Sequence, residues 1–207
     1  STAVDQFAKT TIFAPPPPPD LPPAGPSLLQ IFPSGPQSSS RHIEQLLLEA
    51  IYCAQREIVL TTPYFIPSEA LLTALRSAAM RGVHVVLIVP ARVDSLLVRF
   101  ASNAYFNDLL PYGVEVLRFS EGLLHTKSMV IDNEVTIFGT VNLDLRSFEL
   151  NFEVSVIAYD QPFSAATRAL QARYAAQSQP IDPAQWLARP WWRRTAENAV
   201  QMMSPLL

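Results

Sequence analysis

A nearly continuous run of apolar residues at 83–89 constrains the fold of this chain more than any other feature. Runs without polar alternation are typical of strands that are buried on both faces of a parallel sheet. A run rich in β-branched residues at 58–62 and the segment 114–119 predict two more strands. The segments between the three runs carry helical patterns, within 67–82 and at 95–110. Strands that alternate with helices in this way predict an α/β sheet with right-handed crossovers.

The part of the chain after residue 120 has a different pattern. Two segments, 123–131 and 135–139, flank the turn-forming Asp132-Asn133-Glu134 and predict a β-hairpin. The other predicted elements, in chain order, are a strand at 28–32 closed by a turn at 33–36, a helix at 43–54 with serine caps at 38–40, a strand at 151–159, and helices near 163–177, 183–188 and 192–203.

Proline is concentrated near the start of the chain. Ten of the 19 prolines lie within 15–36, beginning with the unbroken run from Pro15 to Pro19. Such a stretch favours an extended polyproline conformation and excludes helices and central strands. We therefore predict a disordered proline-rich linker over 1–27 and one α/β domain over 28–207. A linker in this position leads us to expect that the domain is one part of a longer protein.

The charge of the chain limits its partners. The formal net charge is −3, whereas nucleic-acid-binding proteins usually carry a basic surplus, so we expect no nucleic-acid partner. No apolar run reaches the length of a transmembrane helix, and no His, Cys and carboxylate cluster has metal-ligand spacing. We therefore expect neither a transmembrane segment within this chain nor a metal or other cofactor. Of the 15 basic residues only Lys9 and Lys127 are lysines.

Lys127 belongs to a group of residues suited to holding a phosphate. His125 and Lys127 are two residues apart on a predicted strand, so their side chains share one face. The hairpin then leads to Gly139-Thr140-Val141-Asn142, where glycine permits close backbone approach to a ligand and Thr140 and Asn142 add hydrogen-bonding groups. An imidazole, a point cation, a hydroxyl and an amide together form a plausible phosphate cradle.

The complete string is His-x-Lys, four residues, Asp132, six residues, and Gly-Thr-x-Asn. A string of this length is far more specific than an ordinary short motif. Asp132 falls at the hairpin turn, where aspartate commonly forms local hydrogen bonds. We therefore interpret Asp132 and Gly139 as structural members of the motif and His125, Lys127, Thr140 and Asn142 as the chemical ones.

This string resembles the signature of the phospholipase D superfamily, and the chain is similar to the second half of the bacterial cardiolipin synthases. The similarity covers roughly 28–207 and leaves out the proline-rich opening. The segments that carry it are 62–67, 94–97, 122–128, 140–144, 146–147, 151–153 and 204–207. The resemblance implies an α/β half-domain with a mixed sheet flanked by helices on both faces.

The resemblance also implies roles for individual residues. His125 would be one of two catalytic histidines, while Lys127 and Asn142 would hold non-bridging phosphate oxygens, with Thr140 beside them. In the two-half enzymes the first histidine is generally the nucleophile, which would make His125 the acid/base partner. The family has an acidic residue at the place of Glu153, so this carboxylate would orient the ring of His125. The alternative for Glu153 is a solvated charge at a strand edge.

The implied reaction transfers a phosphatidyl group between two phosphatidylglycerol molecules, which gives cardiolipin and glycerol. One imidazole attacks phosphorus to form a phosphohistidine, and the second protonates the leaving alcohol. The chain has one such motif, so we expect a second motif-bearing half, supplied by an amino-terminal half or by a second copy. A homodimeric single-motif phosphodiesterase or nuclease is the alternative, and a catalytically inactive membrane module is a third possibility.

The end of the chain bears on localisation. Trp186, Trp191 and Trp192 stand beside Arg189 and Arg193, a composition that suits either a membrane interface or a helix docked on the domain. The resemblance implies a bacterial enzyme of the inner membrane, associated with its cytoplasmic face or its surface. Phosphatidylglycerol, cardiolipin and the membrane surface are therefore the expected partners.

Overall fold

The computed structural model describes residues 25, 27–36, 42–93 and 95–202, without the side chains of Arg194 and Met202. The predicted linker over 1–27, apart from Gly25 and Ser27, and the serine caps at 38–40 lie outside these ranges. The domain from residue 28 onward forms an α/β structure around one large sheet.

The sheet has eight strands and mixed direction. Its order is β1-β9-β7-β6-β2-β4-β5-β10, and a separate two-stranded sheet joins β3 to β8. The parallel part is β2-β4-β5, as the alternation of strands and helices predicts, and every other pair in the large sheet is antiparallel. The strands are β1 (Leu29–Ser34), β2 (Glu57–Thr61), β3 (Phe65–Ile66), β4 (His84–Pro90), β5 (Glu115–Phe119), β6 (Ser128–Ile131), β7 (Val135–Gly139), β8 (Leu143–Asp144), β9 (Glu153–Ala158) and β10 (Ser178–Pro180).

Helices cover both faces of this sheet. They are α1 (His42–Cys53), α2 (Glu69–Met80), α3 (Leu96–Leu109), α4 (Leu145–Glu149), α5 (Gln161–Ala176), α6 (Pro183–Leu187) and α7 (Trp191–Met202), with a 3₁₀ turn at Leu110–Tyr112. Side-chain caps begin several of them: the hydroxyl of Ser68 accepts a hydrogen bond from Leu71 N, and the carboxylate of Asp160 accepts one from Phe163 N. No helix within the described ranges is long and apolar enough to cross a membrane.

The central strand β4 shows why the apolar run is continuous. Val85 and Leu87 pack into the larger core cluster with helices α1, α2 and α3. Val86 and Ile88 pack into a second cluster on the other face, together with Tyr174 of α5. Side chains on both faces of β4 are buried, so the strand has no polar face. The predicted α/β class, with a mixed sheet flanked by helices on both faces, is confirmed.

Two predicted boundaries are wrong for physical reasons. The predicted turn at 33–36 is in part strand, since β1 continues through Pro33 and Ser34. Proline is tolerated there because β1 is the edge of the sheet and its outer side has no partner strand. The predicted strand at 123–131 begins only at Ser128, because β2 ends at Thr61, the residue paired with Ser128. Residues 123–127 have no strand to pair with.

Candidate active site

The motif segment His125–Lys127 is an extended stretch just before β6, held from one side by α5. Leu124 is buried in the cluster that contains Tyr174, and the hydroxyls of Thr126 and Tyr174 are 3.1 Å apart. His125 and Lys127 alternate with these two anchored residues. His125 is therefore exposed, and Lys127 is half-buried.

The ammonium of Lys127 is the charged centre of the site. Its Nζ donates a hydrogen bond to the backbone carbonyl oxygen of His125 at 2.9 Å. Burial lowers the pKa of Lys127 below its ordinary value, and the nearby carboxylates of Glu153 and Asp144 act in the opposite direction. The cation is thus partly desolvated, which strengthens its attraction for a phosphate oxygen.

Gln171 fixes the start of β6 from the opposite face. Its side chain is fully buried, and Nε2 donates to Val59 O at 3.0 Å and to the hydroxyl of Ser128 at 3.1 Å. Ser128 directly follows Lys127, so this clamp sets the position of the motif. Gln171 is not among the predicted site residues, and its signal in the sequence is only a polar residue on the inner side of a predicted helix.

Gly139 is required by the neighbouring strand and not by a ligand. A Cβ at this position would collide with the carbonyl oxygen of Val154 and would lie 2.8 Å from the Cα of Ser155. The hydroxyl of Thr140 accepts a hydrogen bond from Val154 N at 2.9 Å and lies 3.4 Å from Val154 O. The segment Gly139–Thr140 is therefore tied closely to the start of β9.

Asn142 stands at the end of this segment, between β7 and β8. Its Nδ2 donates to the hydroxyl of Ser147 at 3.3 Å, while its buried Oδ1 has no hydrogen-bond partner within the described structure. The next residue, Leu143, pairs with Phe65 across the β3–β8 sheet, and Leu143 N donates to the buried hydroxyl of Thr62 at 3.5 Å. The 62–67 segment is thus the support of Asn142, a role that its sequence does not reveal.

Glu153 begins β9 beside Lys127. Its carboxylate accepts a hydrogen bond from Asn151 Nδ2 at 3.1 Å, and no hydrogen bond connects it to His125 in the part of the chain that the structure describes. The alternative of a strand-edge charge does not fit, since β9 lies between β1 and β7. Composition suggests that the face of β9 with the apolar residues is buried and the face with Glu153 and Ser155 is exposed. The structure shows the reverse at these positions, since Ser155 is 2% exposed and the preceding Phe152 is 76% exposed.

Asp132 lies at the far end of β6, about 17 Å of extended chain from Lys127. It forms the hairpin turn with φ of 53°. Its carboxylate accepts hydrogen bonds from Gln55 N, Arg56 N and Glu57 N at 2.9, 2.7 and 2.8 Å. Burial opposes ionisation, but these three donors hold the pKa of Asp132 below its ordinary value. The residue joins the hairpin to the start of β2.

The structure therefore brings most of the predicted site residues to the side of the sheet where the parallel strands have their C-terminal ends. Lys127 O accepts a hydrogen bond from Gly139 N at 3.3 Å, and Lys127, Gly139 and Ser155 line one small cavity. Asp132 is remote from them. Among the residues that the structure describes, no group of three or more His, Cys, Asp or Glu side chains could hold a metal ion.

Comparison with known proteins identifies similar sequences. The family model described as cardiolipin synthase, PLD-like domain, matches residues 47–174. Cardiolipin synthase A of Edwardsiella ictaluri is 45% identical over 179 residues, 86% of this chain and 37% of that protein. Cardiolipin synthase A of Serratia proteamaculans matches with the same identity and coverage. The chain thus spans 37% of the length of these curated relatives.

Solved structures share the fold at low sequence identity. Nuc from Salmonella typhimurium, a phospholipase D family member, superposes with a TM-score of 0.66 at 20% identity, over 75% of this chain and 99% of that one. Phosphatidylserine synthase from Haemophilus influenzae gives a TM-score of 0.61 at 17% identity, over 86% of this chain and 48% of that one. By its sequence match, and in agreement with its fold, the chain belongs to the cardiolipin synthase family of phospholipase D-like domains.

Proposed function

We propose that this chain supplies one half of the active site of a phosphatidyltransferase that converts two phosphatidylglycerol molecules into cardiolipin and glycerol. The observation that carries the proposal is the position of an exposed imidazole, His125, next to a partly buried ammonium, Lys127, in a domain of this family. The positive charge of half-buried Lys127 would attract an anionic phosphodiester, and this attraction is stronger where water is partly excluded.

Lys127 and Asn142 are the proposed ligands of the non-bridging phosphate oxygens. A phosphate oxygen needs a donor, and the Asn142 amide supplies one if it rotates by 180°. The hydroxyl of Ser147 then donates to Oδ1, and the NH₂ group turns to the position that now lacks a partner. Thr140 can contact phosphate only by giving up its 3.4 Å approach to Val154 O, so its main proposed task is to shape the cradle.

Glu153 is proposed to support the cation as well as the imidazole. Its carboxylate acts on Lys127 in the free chain, where it favours the charged form of the ammonium. Orientation of the His125 ring would use Oε2 of the carboxylate, because only Oε1 accepts the hydrogen bond from Asn151. The pH dependence of a Glu153 variant separates these two roles.

The reaction uses two imidazoles. One attacks phosphorus, the bond from phosphorus to the glycerol oxygen breaks, and the second imidazole gives its proton to that oxygen. The second imidazole then takes the proton from a hydroxyl of another phosphatidylglycerol, whose oxygen attacks phosphorus and releases the first histidine. His125 is proposed as the acid/base member, and the nucleophile is proposed to come from a second motif-bearing half.

A homodimeric phosphodiesterase is the second candidate, and the presence of one motif in this chain favours it. Two copies would then supply the two imidazoles. A nucleic acid is a poor substrate for a chain of net charge −3, because binding a phosphate backbone depends on many cations.

The membrane surface is proposed to contact the start of α7. Trp186 is only 8% exposed and belongs to the core, whereas Trp191 is 77% exposed and Trp192 is 55% exposed. The packing of α7 on α3 agrees with the docked-helix alternative, whereas Trp191 and Trp192 remain exposed and available for the proposed membrane contact. Exposed tryptophan beside arginine is typical of a bilayer interface.

A substitution of His125 tests the proposal. In the complete enzyme, His125→Ala should lower the formation of cardiolipin from labelled phosphatidylglycerol by about 10²–10⁴-fold. Lys127→Arg should also be poorly tolerated, because a planar guanidinium does not replace a compact cation. His84→Ala is the matched control, since His84 is exposed at the opposite end of the sheet, 3.3 Å from Glu115. Turnover of His125→Ala within about threefold of wild type would refute the assignment.

A further inference from the structure

A second cavity lies beside the candidate active site, at the C-terminal ends of β4 and β5. Its volume is about 440 Å³, and its walls come from these strands, from the segment around β3, and from α3, α6 and α7. Phe65, Phe106 and Trp186 are buried and line its interior. Arg99, Trp192 and Arg193 are exposed and line its rim.

The described lining of this cavity carries a surplus of positive charge. It includes four arginines and one carboxylate, Glu197. The carboxylate of Glu197 is held by both terminal nitrogens of Arg189, at 2.8 and 3.0 Å, so this buried pair is neutral. Arg99, Arg118 and Arg193 remain, and no ion pair joins any of them to a carboxylate within the described ranges.

Arg118 is the guanidinium that most clearly lacks an acceptor. It is half-buried on β5, with its Cζ 5.8 Å from the centre of the Trp186 ring. Its Nε is buried and has no hydrogen-bond partner among the described atoms. A buried donor on a charged group is normally satisfied, so this nitrogen indicates a place for an acceptor from outside the described residues, which a bound anion would supply.

The chemistry of the lining selects the class of ligand. Guanidinium groups bind the oxygens of phosphate through paired hydrogen bonds, and three of them around one cavity favour an anion with several oxygens. The aromatic side chains that present accessible surface to the cavity, Phe100 and Trp192 with a small part of Trp186, favour a ligand that is apolar next to its charge. A lipid phosphodiester has both properties.

The cavity and the motif share one edge and one face of the sheet. Ser128 pairs with Thr61 at the C-terminal end of β2. Lys127 therefore lies on the side of the sheet where the C-terminal ends of β4 and β5 are also found. Val116, two residues before Arg118, and Met129, two residues after Lys127, pack in the same core cluster. Two to three strand spacings separate β6 from β4 and β5, which is about 10–14 Å.

We propose that this arginine-lined cavity binds the phosphodiester headgroup of a second anionic phospholipid, the one whose hydroxyl accepts the phosphatidyl group. The identification with the acceptor rests on the proposed function, whereas the binding of a lipid phosphodiester in the cavity does not. A reaction between two anionic lipids requires two anion sites on one surface, and Lys127 and Arg118 provide them.

Direct binding measurements test the cavity apart from catalysis. The 207-residue chain carrying His125→Ala and Lys127→Ala, which disables the first site, is titrated calorimetrically with monomeric dihexanoylphosphatidylglycerol. Arg118→Gln in that background should weaken binding at least about tenfold. Arg193→Gln, at the exposed rim, should weaken it by up to about fivefold. Arg173→Gln, an exposed site on α5, is the charge-matched control and should leave the dissociation constant unchanged.

The source of the phosphate is distinguished by two further probes. Glycerophosphoglycerol and inorganic phosphate should each bind at least about tenfold more weakly than the lipid, because neither fills the apolar walls. Equal binding of either probe and the lipid would overturn the assignment to a phospholipid. Unchanged affinity for the lipid in both Arg118→Gln and Arg193→Gln would overturn the cavity as a binding site, whatever the fate of the proposed transfer reaction.

Discussion

The ammonium of Lys127 donates a hydrogen bond to the carbonyl oxygen of His125, two residues earlier, at 2.9 Å. The imidazole of His125 and the ammonium of Lys127 therefore belong to one short extended segment, and a hydrogen bond within that segment holds the ammonium. Tyr174 holds this stretch at Thr126, and Gln171 holds the start of β6 at Ser128. A site built this way keeps its imidazole free to move toward substrate while its cation stays in place.

Glu153→Gln should change the pH dependence of the reaction at its alkaline limit. If the charge of Lys127 binds phosphate, as proposed, activity should fall as pH rises through the pKa of this lysine. Burial already lowers that pKa, and the negative charge of Glu153 opposes the shift. Removal of the charge lowers the pKa of Lys127 further, so the alkaline limb of the profile of kcat/KM should move to lower pH.

The profile is measured in the complete enzyme with Glu49→Gln as control, since Glu49 is an exposed acid on α1. A shift confined to the limb near neutral pH, where histidine titrates, would show that Glu153 acts only on His125. An unchanged profile with full activity would remove Glu153 from the site.

Asp132 should matter for stability and not for the chemical step. Asp132→Ala removes the acceptor of three backbone N–H groups and places alanine at a positive φ, so the free energy of unfolding in urea should fall by about 2–4 kcal/mol. Asp132→Asn tolerates the same φ and keeps one oxygen acceptor, so its loss should be smaller, about 1 kcal/mol.

The contribution of Asp132 should also depend on pH. Because its pKa is lower in the folded chain than its ordinary value, the carboxylate stabilises the fold above the ordinary aspartate range. That stability is lost as pH falls through the folded pKa. The difference in unfolding free energy between wild type and Asp132→Asn should therefore shrink below about pH 4. A difference that stays constant down to pH 2 would contradict this account.

Gly139→Ala should loosen the pairing of β7 with β9. The added Cβ meets the backbone of Val154 and Ser155, which belongs to a central strand and has little room to retreat. We expect a loss of about 1–3 kcal/mol in urea unfolding, together with lower activity from displacement of Thr140. Gly25→Ala is the control, because a Cβ at Gly25 has nothing within 4 Å. Equal stability of the two variants would show that β9 does not approach β7 as closely as described.

The sequence predicts the parallel strands to within about one residue, and the reason is local. β4 is apolar on both sides, begins just after Gly82 and ends at Pro90, while β5 follows Gly113 and is apolar apart from Glu115 and Arg118, so the limits of both strands are largely visible in the chain itself. The motif residues are likewise recognisable, because their types and spacing form one long string. Neither inference depends on knowing which parts of the chain meet.

The elements that the sequence does not reveal depend on contacts between distant segments. β3 and β8 have two residues each and exist because the segment after β2 meets the one after Asn142. The strand that follows the motif begins at Ser128 and not at residue 123, because its partner β2 ends at Thr61. Gln171 gains its importance only from the backbone it reaches, 112 residues away in the chain. The conformational propensity of a short segment does not depend on its distant partners, so it cannot predict these contacts.

Reconstitution from two separately expressed halves tests the central claim most directly. This chain is incubated with radiolabelled phosphatidylglycerol in detergent, alone and together with the second half that is proposed to carry another His-x-Lys motif, and cardiolipin is measured. The account predicts that the chain alone forms no cardiolipin and that the mixture restores transfer, because only the mixture holds two imidazoles. Cardiolipin synthesis by this chain as a proven monomer would contradict the account, and activity that rises with the square of its concentration would identify the homodimer instead.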